Sequence, residues 1–203
     1  AGGRIVRRRR GELAPKRRAT TSMLRLHADW AWVVVGVNAI AGLAALKAQG
    51  SHAVVQLHHA GMRSPKDLIG EAPVSPSDDA ETGARALTLA EVHRLRDDFI
   101  AAAKRAEKAG FDGVEIHGAH GYIICAFLSP EINKREDAYG GTLGNRSRLL
   151  FEIIDGVRAA CRPDFSLGVR LSPERFGMRL LRAVVSRLAA ELGWSCLDQF
   201  DAG

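Results

Sequence analysis

From residue 52 onward the chain alternates short aliphatic runs with longer stretches in which apolar residues return every three or four positions, the pattern of repeated βα units around a parallel sheet. His52–His58, Gly113–His117 and Leu167–Leu171 read as strands. Between the first two, Leu89, Val92, Leu95, Phe99, Ala102 and Ala106 mark one face of a helix. It opens at Thr88 as N-cap, with Glu91 in the capping-box position, and ends at Gly110. Asn145 introduces a second helix, with Leu149, Leu150, Ile153, Ile154 and Val157 on one face. Met178–Leu192 reads as a third helix, stopped by Gly193, and Ser195–Asp198 begins a last short strand. Long polar loops follow the first two strands.

Trp30–Leu46 is a 17-residue run in which Asn38 is the only clearly polar side chain. It is just short of a membrane span, although an anchor or leader is the competing reading. Its composition divides it instead: Val33–Val35 is β-branched and strand-like, whereas Ala39–Lys47 is Ala/Leu-rich and helix-like.

The strands share a parity, because successive side chains of a strand face opposite sides. Val55 and Leu57 oppose Gln56 and His58; Val114 and Ile116 oppose Glu115 and His117; Val169 and Leu171 oppose Arg170 and Ser172. The aliphatic faces are expected to meet helices, and the polar faces to converge at the carboxyl ends of neighbouring parallel strands, where α/β folds place ligands. Buried polar groups need partners, and Glu115 with Arg170 is the expected ion pair.

Charge changes the picture only at one end. The formal charge is +6, but residues 1–25 hold nine Lys/Arg against one Glu, so the remainder carries a net −2. Residues 1–29 therefore read as a basic, disordered tail and 30–203 as the folded domain. With no aromatic residue interleaved among the arginines, specific nucleic-acid binding is not expected, nor is a membrane partner. Cys125, Cys161 and Cys196 are scattered, with no CxxC pair, which points to a reducing, cytoplasmic setting.

The densest chemistry is His117-Gly118-Ala119-His120-Gly121-Tyr122, directly after a strand. Two imidazoles three residues apart can donate to one oxygen and polarise a carbonyl, and a phenol two positions on can deliver a proton. Gly118 and Gly121 are expected to allow the sharp turn that gathers the three rings. Zinc is not expected, because this HxxH lies on a loop without a helical HExxH frame or a cysteine at ligand spacing. Glycoside hydrolysis stays open through Glu115, Glu131 and Glu174, of which only Glu115 sits at a clear strand end.

The run Gly110–Tyr122, followed by Phe127-Leu128-Ser129-Pro130, Asn133 and Asp137–Arg146, resembles the old yellow enzyme family of FMN-dependent NADH:flavin oxidoreductases. Gln56–Gly61 resembles that family's third-strand motif and Gly168–Ser172 its fifth-strand motif. The resemblance implies a (β/α)8 TIM barrel, here incomplete because four or five βα units are legible in 203 residues. It implies FMN, with Gln56 at the pyrimidine edge and Arg170 beside N1 and the C2 carbonyl. It further implies NADH or NADPH as electron donor and an electron-poor alkene as acceptor, with His117 and His120 holding the acceptor's oxygen and Tyr122 supplying the proton. The alternative is a catalytically silent half-barrel that binds flavin weakly. Unclosed sheet edges would also favour homo-oligomers.

Overall fold

The computed structural model describes residues 3–5, 25–27, 37–172, 184–186 and 189. The short strands β1 (Gly3–Ile5) and β2 (Arg25–His27) precede helix α1 (Val37–Ala48) and strand β3 (Val54–His58). A loop region then carries the 3-10 turn Gly61–Arg63, the helical turn α2 (Lys66–Ile69) and the two-residue parallel strands β4 (Val74–Ser75) and β5 (Arg85–Ala86). Helix α3 (Leu89–Lys108) leads into strand β6 (Gly113–Gly118), and helices α4 (Ile123–Leu128) and α5 (Leu143–Ala160) into strand β7 (Ser166–Leu171).

One sheet runs in the order β1-β7-β6-β3-β2. β2, β3, β6 and β7 are parallel neighbours, whereas β1 is antiparallel to β7. α3 forms the β3-to-β6 crossover and α4 with α5 the β6-to-β7 crossover, since a parallel pair cannot be joined by a hairpin. The core fills the helix side of the sheet. Val55, Leu57, Val114, Ile116 and Val169 are fully buried there with Phe99 of α3 and Ile153 and Ile154 of α5. These are the aliphatic faces the alternation identifies. The opposite faces of β3 and β6 are buried as well, so Gln56, His58, Glu115 and His117 lie in the interior.

The floor of the sheet is tied by Asp112, which sits just before β6. Its Oδ2 accepts from the Ala53 amide at 2.9 Å and its Oδ1 from Lys47 Nζ at 2.8 Å, joining α1 and the start of β3 to β6. Its backbone continues the lattice, donating to Ala53 O and accepting from the Ser166 amide, each at 2.8 Å. Burial disfavours its ionised form, but the Ala53 amide and the Lys47 ammonium outweigh that and hold the carboxyl below the usual range.

Several expectations change in detail. The capping box is complete: Thr88 Oγ1 accepts from the Glu91 amide, and the Glu91 carboxylate accepts from the Thr88 amide. Leu89, counted in the apolar stripe, is instead 46% exposed, because it occupies the first turn before the helix reaches the sheet. α5 begins earlier than expected, capped by Thr142, whose hydroxyl accepts from the Asn145 amide. α4 has no counterpart in the expected elements. All six of its residues are buried, so it shows no polar face to give a helical period.

Within residues 1–29, Gly3–Ile5 and Arg25–His27 pair with the outer edges of β7 and β3. An edge strand offers backbone donors and acceptors to any extended segment regardless of side chains, which composition does not register. The expected strand at Val33–Val35 and the expected elements at Met178–Leu192 and Ser195–Asp198 lie outside the described residues, apart from helical positions 184–186 and 189. No helix among the described residues is long and apolar enough to cross a membrane.

Candidate functional site

The strand register stacks the inward polar side chains in two layers. Gln56, Glu115 and Gly168 are neighbours in one; His117 and Arg170 are neighbours in the next, toward the carboxyl ends, with His58 following on β3. In the lower layer Gln56 Nε2 donates to Glu115 Oε1 at 2.6 Å, both residues 2% exposed. Gly168 has no side chain to crowd that pair. Where the sequence suggested Arg170 as the partner of Glu115, the register seats Arg170 beside His117, and Gln56 is one partner of the carboxylate.

The upper layer is aromatic. His117 is buried, and its Nε2 lies 3.2 Å from His120 Nδ1, a hydrogen bond in which one ring carries the proton. The Tyr122 ring is 5.1 Å from that of His117 and 5.1 Å from that of His58. His58 also stands 6.0 Å, edge-on, from His117. The three rings singled out in the sequence are thus gathered at the end of β6, with His58 as a fourth. The sequence puts His58 on the polar face of β3 without assigning it a role; its parity with Gln56 is the signal that it joins the same ring cluster.

The turn that gathers them differs from the expected one. Gly118 ends β6 with ordinary backbone, and its bare Cα matters because a Cβ there would stand 2.9 Å from Leu171 Cδ2 and 3.1 Å from Arg170 O. It permits close approach of β6 to β7 rather than the turn. The left-handed positions are His120, at φ 59°, and Gly121, at φ 70°. The His120 amide donates to Ser172 Oγ at 3.3 Å.

A second group of residues shapes the loop after α4. Asn133 Nδ2 donates to Phe127 O and Tyr139 O, each at 2.8 Å. Arg135 grips Asp137 through Nε and Nη2 and reaches Pro76 O and Leu87 O, which fastens this loop to the one after β3. Arg146 donates to Leu128 O and Gly141 O. Tyr139 donates to Glu152, and burial, then that carboxylate, pushes its phenol up to about 12. Their work is to hold loops in place. Glu131 is exposed in this loop and Glu174 lies outside the described residues; Glu115 sits inside β6, one layer below its carboxyl end, rather than at the strand end the sequence suggested.

The sequence profile of the NADH:flavin oxidoreductase / NADH oxidase family matches residues 34–186. A probable NADH-dependent flavin oxidoreductase of Bacillus subtilis is 46% identical over 138 residues, which cover 64% of this chain and 37% of the relative. An NADPH dehydrogenase of Clostridium acetobutylicum is 44% identical over 135 residues, 39% of its length. Among solved structures, the old yellow enzyme homologue from Zymomonas mobilis superposes with a TM-score of 0.69 at 34% identity, covering 80% of this chain and 51% of that one. The chain spans roughly two fifths of the length of the curated relatives it matches.

Proposed function

Because the chain belongs to the NADH:flavin oxidoreductase / NADH oxidase family, and its α/β fold is part of an old yellow enzyme barrel, we propose that it works as an FMN-dependent oxidoreductase of the ene-reductase type. In this reading NADH or NADPH is the electron donor and a small electron-poor alkene the acceptor. The observation that carries it is the convergence of His117 Nε2 and His120 Nδ1, 3.2 Å apart, beside the Tyr122 phenol at the carboxyl end of β6.

The residues suit FMN. A flavin's pyrimidine edge presents an N–H between two carbonyls. Gln56 spends Nε2 on Glu115 and keeps its amide oxygen as an acceptor, while Arg170, on β7 across β6 from Gln56, offers donors only. A guanidinium beside N1 favours the negative charge that builds there on reduction. When bound, FMN supplies hydride exchange between nicotinamide and acceptor.

The chain's own side chains supply the rest. His117 and His120 satisfy one another in this structure, so a substrate carbonyl or nitro oxygen replaces that contact and accepts from both rings. Each imidazole must then present an N–H toward the oxygen, and the alkene's β-carbon becomes the hydride acceptor. Tyr122 holds its proton at Oη for delivery to the α-carbon.

The test is a titration of the 203-residue chain with FMN, followed by absorbance and fluorescence, with a phenol added at saturation. Saturable binding and a long-wavelength charge-transfer band are expected. A folded chain that leaves FMN fluorescence unchanged would overturn this reading in favour of the silent half-barrel. Sedimentation of the same sample reports whether the half-barrel assembles with itself.

A further inference from the structure

We infer that Ser172, at the exit of β7, is the positioning residue that sets His120 against His117. Naming those two rings a substrate clamp rests on the proposed function; the positioning itself rests on geometry. His120 is the only non-glycine residue with positive φ among the described residues, at 59°. Histidine is tolerated in that region but does not prefer it over the right-handed alternatives, so something must select it. Within the turn, the Tyr122 amide donates to Ala119 O at 3.3 Å, a long bond that holds the carbonyl end of the Ala119–His120 peptide and leaves its N–H to another group.

Ser172 fixes that peptide from outside the turn. It is fully buried, and its Oγ accepts from the His120 amide across 52 residues of sequence. The contact needs β7 close to β6, which the bare Cα of Gly118 allows. His117 rides on the strand, but His120 owes its place to this turn, so rotating the His120 backbone to negative φ would swing its ring off His117. A single buried hydroxyl thus joins the end of β7, the strand bearing Arg170, to the distance between the two imidazoles on β6 and its loop.

The test compares the full chain with Ser172→Ala and Ser172→Thr, first without flavin. Amide exchange at His120 and the ring nitrogen resonances of His117 and His120 are the readouts. Ser172→Ala is expected to speed His120 exchange about tenfold, the effect of losing one buried hydrogen bond. It should also replace the fixed pair of ring environments by averaged tautomers, while far-UV circular dichroism stays unchanged. Ser172→Thr keeps the hydroxyl and should restore both.

Wild-type values of both readouts in Ser172→Ala would overturn the inference. If the alanine variant does not fold, the wild type decides, because a His120 amide that exchanges like a solvent-exposed one is incompatible with the bond. In FMN-loaded chain, Ser172→Ala should weaken phenol binding about tenfold with FMN affinity unchanged. Failure of the chain to take up FMN would count against the proposed function alone, since the ring resonances still report on Ser172.

Discussion

Tyr122 and Gln56 have different parts in the proposed chemistry, one in proton delivery and the other in holding the flavin, and single substitutions separate them. Tyr122→Phe removes the proton but leaves the rings around it in place, so alkene reduction should slow by about 10²- to 10⁴-fold. Flavin reduction by NADH or NADPH needs no such proton and should keep its rate; stopped-flow measurement of the two half-reactions checks this, and equal losses in both would remove Tyr122 as the acid. Gln56→Leu leaves the buried Glu115 carboxylate one donor short. Its expected cost is about 1–3 kcal/mol of stability, read from urea unfolding, together with loss of FMN binding. At this scale the alternation of strand residues is informative, since it places Gln56, Glu115, His117 and Arg170 on the polar faces of their strands. It could not say which partner Glu115 takes, because register decides that, and β6 could have slid by two residues against β7 without changing a single face. The left-handed backbone at His120 carries only a weak sequence signal, a histidine followed by Gly121, because many such pairs adopt ordinary backbone.

Among the elements, α3 was legible because every local signal agreed: cap, apolar stripe and terminating glycine. α4 was hidden because a six-residue helix buried on all sides has neither a polar face nor a cap side chain; the Tyr122 N-cap makes no side-chain capping bond. The start of α3 also carries a pH dependence. Side-chain bonding to Arg85, with the Thr88 amide, lowers Glu91 to about 2 from its ordinary 4.5. A carboxyl depressed in the folded state contributes stability that is fully present above its unfolded value and is lost as pH falls through the folded one. Stability from this helix start should therefore hold above about pH 4.5 and decline toward pH 2, and Glu91→Gln should flatten that part of the profile. Thr88→Ala should cost about 1 kcal/mol at neutral pH. Urea midpoints at pH 6 and pH 3 test both; an unchanged profile in Glu91→Gln would show that other carboxyls govern the acid limb.

Over the whole molecule, stability and the proposed chemistry occupy opposite ends of the same strands. In α/β barrels the amino-terminal face of the strands serves the fold, while the carboxyl-terminal face carries the site. Here Asp112 ties the floor, joining Lys47 of α1 and Ala53 ahead of β3 to the start of β6, while His117, His120 and Tyr122 gather beyond the other end of β6. β6 does not depend on the floor for its place: its six residues are buried throughout and paired with β3 on one side and β7 on the other, so the strand is held along its whole length. Loosening the floor should thus lower the unfolding free energy without moving the rings. Asp112→Ala removes two hydrogen bonds to a charged acceptor, one of them from the Ala53 amide, and should cost about 2–4 kcal/mol. Asp112→Asn keeps an acceptor for one donor and should cost about half as much. Because the folded carboxyl lies below its usual range, the wild-type advantage over Asp112→Asn should be full at neutral pH and shrink as pH falls through the carboxylate range. In both variants the His117 and His120 ring resonances should remain those of the wild type at temperatures where the chain is folded. A shift of those resonances in Asp112→Asn would mean that floor and mouth move as one body, and that the division of labour along the strands does not hold in this chain.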